Sequence, residues 1–155
     1  MLIQEDDLNN FIQYTSQSHH LLSLTDENKD TLLHHATRYK RPNFALWLMQ
    51  FTNEECQPDF KDHNGENSAQ IAVGIDSIPM LRVLLDKNLR LINFPRNRRG
   101  STLLHLAIEL GFEEMAKYLC STIEVDVNVK DYLNKKPDEL DRVSKEVKRM
   151  IKNHR

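Results

Sequence analysis

Residues 101–119 read STLLHLAIELGFEEMAKYL, a run in which one histidine, His105, stands among apolar residues. Apolar residues recur at the i, i+3 and i+4 spacing of a helix face, first at Leu104, Ala107 and Ile108 and then at Met115, Tyr118 and Leu119. Gly111 separates the two groups. The stretch therefore predicts two short helices with a break between them, and it leaves open whether His105 serves chemistry or architecture.

The same pattern occurs twice more in the chain. From Thr31, TLLHHATRYKRPNFALWLM aligns with the stretch from Thr102 without a gap. A more diverged copy, NSAQIAVGIDSIPMLRVLL, begins at Asn67, 36 residues after the first copy and 35 before the third, and a partial copy, KKPDEL, begins at Lys136. Polar segments such as DHNGE precede the copies, and the pair Asn64–Gly65 suits a tight turn. The chain is therefore predicted to repeat a unit of turn, helix, break and helix.

TLLHHA and STLLHLA resemble the T-P-L-H-x-A motif of ankyrin repeats, and GFEEMAKYL is similar to that family's G-H-x-E-V-V-K-L-L. The resemblance implies an all-α ankyrin-repeat solenoid of stacked helix-turn-helix pairs with projecting β-turns. Leu32 and Leu103 stand where the family has proline. In the middle copy Asn67 and Gln70 replace threonine and histidine, and we expect Asn67 to cap a helix.

We expect a single ankyrin-repeat domain over residues 1–155. Its parts are an N-terminal cap (1–25), repeat 1 (26–61), a degenerate repeat 2 (62–96), repeat 3 (97–130) and a C-terminal capping repeat (131–155). A stacked array needs a cover at each end, with apolar residues facing the stack. Those inward residues are predicted to be Leu8, Phe11 and Ile12 at one end and Leu140, Val143, Val147, Met150 and Ile151 at the other.

The bulk composition excludes several classes of protein. The formal net charge of −2 gives no global reason to expect nucleic acid or a membrane as partner. Two cysteines, Cys56 and Cys120, are too few for a disulfide framework and favour a reducing compartment. The acidic N-terminus lacks the parts of a secretory signal, and no apolar run approaches the roughly 18 residues of a membrane span. We expect a cytoplasmic monomer.

Two interpretations of His34 and His105 compete. They could act as acid/base groups or metal ligands, or they could be the family's structural histidine, whose ring bridges backbone groups of adjacent turns. They occupy the same repeat position two repeats apart, roughly 20 Å if each repeat adds about two helix radii, which is too far to share a metal. The doublets His19–His20 and His34–His35 lack zinc-site spacing. The structural interpretation is favoured, and no catalytic residue, cofactor or metal is predicted.

Other residues invite a narrower interpretation. Arg96, Arg98 and Arg99 lie in FPRNRRG, the turn before repeat 3, where they could grip carboxylates or a phosphate or simply form a solvated turn. Alignment of the copies predicts that Trp47 faces the core and that Leu46 is exposed. Cys120 is expected to be a small buried hydrophobe.

The resemblance implies a non-enzymatic module that binds a protein partner through turn tips and the exposed side of the first helices. Carried over position by position, the candidate contacts are Glu27, Asn28, Asp30, Arg38, Tyr39, His63, Asn64, Glu66, Arg98, Arg99, Ser101, Glu109, Leu110, Tyr132, Leu133 and Lys135. A narrower interpretation is an effector of an intracellular bacterium or virus, delivered into a host cell to act on host proteins. The chain could also be a subunit that braces a larger assembly, or an enzyme that uses His34, His35 or His105.

Overall fold

The computed structural model describes residues 25–50, 59–95 and 100–154. In these ranges it has seven α-helices: α1 (Leu32–Arg38), α2 (Pro42–Gln50), α3 (Ser68–Gly74), α4 (Ile78–Lys87), α5 (Leu103–Leu110), α6 (Glu113–Ser121) and α7 (Lys145–His154). Short 3-10 helices cover Leu89–Asn93 and Pro137–Glu139. The described part of the chain is thus all-α, as predicted. The predicted N-terminal cap helix with Leu8, Phe11 and Ile12, the doublet His19–His20, and Cys56 lie outside the described residues.

The first helix of each pair begins at a side-chain capping residue. Thr31, Asn67 and Thr102 precede α1, α3 and α5 with extended backbone, and each forms a capping box with the residue three positions later. The backbone N–H of Asn67 donates to Gln70 Oε1 at 3.0 Å, and Gln70 N–H donates to Asn67 Oδ1 at 2.9 Å. The expectation that Asn67 is an N-cap is confirmed.

The break inside each pair is a single residue with left-handed backbone. Lys40, Asp76 and Gly111 have φ of 52°, 52° and 78°. The next residue's N–H then turns back onto a carbonyl of the preceding helix at 2.9 Å in all three pairs. Gly111 adopts this conformation without strain, whereas Lys40 and Asp76 adopt it at a cost. Pro42 opens α2, where its missing N–H has no intrahelical acceptor to lose.

The helices form two layers around one core. The inner helices α1, α3 and α5 pack in sequence against one another, α2 packs on α4, and α6 packs on α7. Between α4 and α6, the 3-10 helix Leu89–Asn93 packs on α4 and α5. Leucines and methionines from every pair are fully buried, each contributing about 1.5–3 kcal/mol; among them are Leu33, Leu48, Met80, Leu81, Leu84, Leu103, Leu104, Met115 and Leu119.

The helix of the C-terminal capping repeat begins later than the apolar spacing from Leu140 onward suggests. Residues 137–139 form a 3-10 turn, and the capping helix α7 starts only at Lys145. Its apolar residues nevertheless face the stack as predicted: Leu140, Val147 and Ile151 are buried, and Val143 and Met150 pack against the core. The pattern identified the packing face correctly but not the first turn of the helix.

Three single-residue expectations can be read directly from the structure. Trp47 packs against the core and stacks on Phe44 with ring centroids 5.9 Å apart. Leu46 is exposed. Cys120 is a buried free thiol, and burial raises its pKa to about 11, so the thiol stays protonated at neutral pH.

Candidate functional site

Both ring nitrogens of His34 are bonded, one to its own N-cap and the other to the segment that leads into repeat 2. Its Nδ1 accepts the backbone N–H of Thr31 at 3.0 Å, and its Nε2 lies 3.0 Å from the carbonyl oxygen of Phe60. Because the carbonyl can only accept and the amide can only donate, Nε2 carries the proton and Nδ1 does not. Burial lowers the pKa of His34, which keeps the ring neutral.

His105 repeats this arrangement two repeats later. Its Nδ1 accepts the N–H of Thr102 at 3.2 Å, and its Nε2 donates to the carbonyl of Lys135, also at 3.2 Å. Burial again lowers the pKa of the imidazole. With both ring nitrogens of both histidines occupied, neither residue offers a free base or a metal ligand, and the geometry favours the structural interpretation.

Three turn tips share a construction that the sequence analysis did not single out. The side chains of Asp26, Asp62 and Asp131 each accept two backbone amides of their own turn at 2.8–2.9 Å. The N–H of Asp30, together with that of Asn28, holds the pKa of Asp26 below its usual value, against an opposing effect of desolvation. The signal was present in the sequence, since aspartate recurs at one repeat position. These carboxylates fix the tips in place.

Arg38 joins the first two repeats. Its Nη2 lies 3.2 Å from Asp30 Oδ1 and 2.6 Å from Asp62 Oδ2, and both aspartates are buried. Asp30 was predicted to contact a partner, but its carboxylate already binds Arg38 inside the fold. Arg38 itself is partly exposed, so its outer edge stays available to a partner.

The predicted contact residues fall into four groups. Glu27, Asn28, Arg38, Tyr39, His63, Asn64, Leu110, Tyr132 and Leu133 are exposed, and Glu66, Glu109 and Lys135 are half-buried. Asp30 and Ser101, each the residue before an N-cap, are buried. Arg98 and Arg99, with Arg96, lie outside the described residues.

The exposed apolar residues are arranged by the repeat. Tyr39 and Leu110 both stand eight residues after an N-cap, and Ile75 occupies the same position in repeat 2. Tyr39 and Leu110 are exposed, and Ile75 is half-buried. Tyr132 and Leu133 add two adjacent exposed side chains at the last turn. Ile75 escaped the sequence analysis, although the alignment of the three copies places it there.

Two other features have some of the properties of ligand sites. Oxygen and nitrogen atoms of Asp26, Asp30 and His35 lie within 4.8 Å of one another, which is close enough for a metal. Asp30 is engaged by Arg38, however, and His35 Nε2 pairs with Asp26 Oδ2 at 3.1 Å. A cavity of about 50 Å³ among α5, α6 and Arg142 is far smaller than a drug-sized pocket of about 300–1,000 Å³.

Over the described ranges, no helix combines the length and the apolar character that crossing a bilayer requires.

Comparison with known proteins identifies the family of the chain. No curated protein matches the chain. The family model described as ankyrin repeats, three copies, matches residues 33–131. That span covers more than half of the sequence and includes the three helix pairs described above, so the chain belongs to the ankyrin-repeat family.

Proposed function

We propose that the chain is a non-enzymatic module that binds a partner protein through its turn tips and the exposed ends of its inner helices. Ankyrin repeats are generally protein-interaction modules and are typically without enzymatic activity. The observation that carries the proposal is the pair Tyr132 and Leu133, whose side chains are 58% and 57% exposed side by side at one tip. Large apolar and aromatic side chains of this kind supply the anchors of protein interfaces.

The turn presents these two side chains in a fixed geometry. Asp131 Oδ1 accepts the N–H of Leu133 and of Lys135 at 2.9 Å each, and Asn134 takes the left-handed conformation at φ 62°. The carbonyl of Lys135 is also held by His105. Because the backbone is already ordered, a partner that binds here loses little conformational entropy from the tip.

A second row of apolar residues, Tyr39, Ile75 and Leu110, stands at the C-terminal ends of the inner helices, about 12 Å along the helix from the N-caps beside the turn tips. We propose that this row adds to the contact, and we call it, together with Tyr132 and Leu133, the tip surface. Its polar surroundings would come from the predicted residues Glu27, Asn28, Arg38, His63, Asn64, Glu66, Glu109 and Lys135. An apolar centre with a polar margin is the usual anatomy of a specific interface.

The charges around the tip surface suggest the chemistry of the partner. Glu27 and the carboxylate of Asp26 make the first tip acidic, whereas Arg98 and Arg99 stand at the third turn. We therefore propose a partner of mixed or complementary charge along its length. Changing Arg98 and Arg99 to glutamate is expected to weaken binding, and unchanged binding would contradict this placement of the basic end.

We also propose that the module acts as a monomer in the cytoplasm. The thiol of Cys120 is free, which supports a reducing location, because disulfides are rare in reducing compartments. Size-exclusion chromatography with light scattering tests the monomer, since a dimer would double the measured mass.

The proposal is tested by affinity capture with matched variants. The chain with Tyr132→Ser and Leu133→Ser should lose a partner that the unchanged chain captures. The control is Ile123→Ser, which removes the side chain exposed at 85% in the connection after α6, outside the tip surface. Equal capture by all three proteins, or loss with Ile123→Ser alone, would contradict the proposal.

A further inference from the structure

One face of the capping helix α7 carries four cations. Lys145, Lys148, Arg149 and Lys152 are all exposed, and their i, i+3, i+4 and i+7 spacing aligns them along the helix. We call these four residues the α7 stripe. It runs about 10 Å along the axis at 1.5 Å per residue. Val147 and Ile151 on the other side of α7 are buried, so the stripe faces solvent.

The α7 stripe lacks direct ion pairs in the described part of the chain. Within the described ranges, none of its four side chains makes an ion pair or a hydrogen bond. Glu146, the acid of the same helix, pairs instead with Lys117 of α6 at 2.8 Å. Lys117, with a further contribution from Arg149, holds the pKa of Glu146 below its usual value. Glu113 and Glu114 also pair with Lys117, at 3.3 and 3.1 Å.

The arrangement is unfavourable for the isolated helix. Like charges three and four residues apart repel each other. Lys145 is the first residue of α7, where the helix dipole disfavours a positive charge, and only Lys152 in the last turn benefits from the dipole. Packing does not explain the stripe, since all four residues are exposed. A complementary anionic surface would relieve the repulsion.

We propose that the α7 stripe binds an acidic segment of a partner protein, with carboxylates spaced to meet its cations. A nucleic-acid site would interleave aromatic residues with the cations, and the exposed face of α7 has none. A helix that lies on a membrane inserts an apolar face, whereas the apolar face of α7 is buried within the fold. Protein carboxylates are thus the anions that fit best.

This inference concerns a surface separate from the tip surface, with which it shares no residue. It extends the proposed function by assigning acidic chemistry to a second contact, but it does not depend on binding at the tips. The chain carrying Tyr132→Ser and Leu133→Ser should therefore still bind an acidic peptide at the α7 stripe. This variant distinguishes failure of one proposal from failure of the other.

The experiment uses fluorescence anisotropy with a labelled helical peptide that carries glutamates at i, i+3, i+4 and i+7. The same peptide with glutamines is the neutral probe. The stripe variant is Lys145→Glu with Arg149→Glu, and the control is Lys87→Glu with Arg90→Glu, which changes the net charge equally at two exposed positions elsewhere. Circular dichroism verifies that both variants are folded.

We expect the glutamate peptide to bind the unchanged chain and the control about equally, and the stripe variant about tenfold more weakly, since two exposed ion pairs become repulsive. Binding should fall as added salt shortens the screening length. Absence of binding, equal binding to the stripe variant, or equal binding of the glutamine peptide would overturn the proposal. Preferential binding to vesicles containing phosphatidylserine, or to single-stranded DNA, would overturn it in favour of another partner class.

Discussion

Repeat 1 and repeat 2 differ in how they reach the repeat that follows. In repeat 1, His34 bonds the carbonyl of Phe60, just before repeat 2 begins, and Arg38 pairs with the carboxylate of Asp62, the first residue of repeat 2. The corresponding positions of repeat 2 hold Gln70 and Gly74. Gln70 Oε1 still accepts the N–H of the capping residue, but its Nε2 has no partner among the described residues. The amide of Gln70 therefore caps the helix as the imidazole of His34 does, but it does not make the hydrogen bond that His34 makes toward the next repeat.

Other unsatisfied groups lie at the same junction. In the described ranges, the buried side-chain polar atoms without a partner belong to Asn67, Ser68, Gln70 and Ser101. Ser101 and Lys135 occupy the same position of successive repeats. At Lys135 the backbone carbonyl accepts a hydrogen bond from His105 of the preceding repeat. Each unsatisfied buried group costs about 1–3 kcal/mol.

At the middle junction α3 packs on α5, and polar links come from outside the inner helices: Asn93 donates to the carbonyl of Glu124 at 2.7 Å and accepts the N–H of Asp126 at 2.8 Å. The outer junctions instead have links from the histidines of the inner helices.

The largest expected effect comes from removing the polar link between repeats 1 and 2. Arg38→Ala leaves two buried carboxylates, Asp30 and Asp62, without their cation. We expect a loss of about 2–4 kcal/mol in the free energy of unfolding, below the upper range for buried pairs because the guanidinium is partly exposed. Urea unfolding measures this. The control is Lys117→Ala, which breaks ion pairs with exposed glutamates. An equal loss of unfolding free energy in both variants would contradict a special role for the Arg38 link between repeats 1 and 2.

His105→Gln gives repeat 3 the residue found in repeat 2. Glutamine can keep the contact with Thr102 but should lose the one with the carbonyl of Lys135, so we expect a loss of about 1–3 kcal/mol in the free energy of unfolding. His63→Gln at an exposed tip should change it by less than about 0.5 kcal/mol. If urea midpoints show no difference between the two variants, the imidazole does not have the structural role described.

The reverse exchange gives repeat 2 the residues of repeat 3. Asn67→Thr with Gln70→His should supply a ring that reaches the next repeat, and we expect a gain of about 0.5–1.5 kcal/mol. The rise in urea midpoint should be absent in Asn67→Thr alone, because threonine provides only the cap. A destabilised double variant would show that the middle junction has a different geometry from its neighbours.

The two junctions with histidine should also respond to pH. Burial lowers the pKa of His34 and His105, so below about 6.5 the unfolded chain binds more protons than the folded chain. Their contribution to stability is complete above that pH and is lost as pH falls toward the folded pKa values. Urea midpoints at about pH 7.5 and pH 5.5 should differ less in His105→Gln than in the unchanged chain. If His105→Gln shows the same difference between the two pH values as the unchanged chain, protonation of His105 is not a cause of the pH dependence.

The sequence alone was sufficient to predict the repeat unit and the local signals that begin its helices. Three copies in register located the helix pairs and the capping residue Asn67, because capping preferences act over a few residues. The late start of α7 was not predictable, since the apolar spacing continues from Leu140 through a turn that only the packed structure distinguishes from helix.

Exposure at the candidate surface was harder to predict than the fold. The alignment placed Asp30 and Ser101 beside exposed tip residues, but both are buried, whereas Glu66 at the same repeat position is half-buried. The ion pair of Arg38 with Asp62 joins residues 24 apart in sequence, and no local pattern reports such a contact. Ile75, in contrast, could have been found from the alignment itself, which pairs it with Tyr39 and Leu110.

The central claim is that the histidines hold the fold while the tips bind the partner, and the most direct measurement compares two variants for both properties. His34→Gln, which loses the bond to the carbonyl of Phe60 away from the tip of Tyr132 and Leu133, should lower the unfolding midpoint and retain partner capture under conditions where it is folded. Tyr132→Ser with Leu133→Ser should keep the midpoint and lose capture. Capture lost by folded His34→Gln and retained by the tip variant would contradict the account.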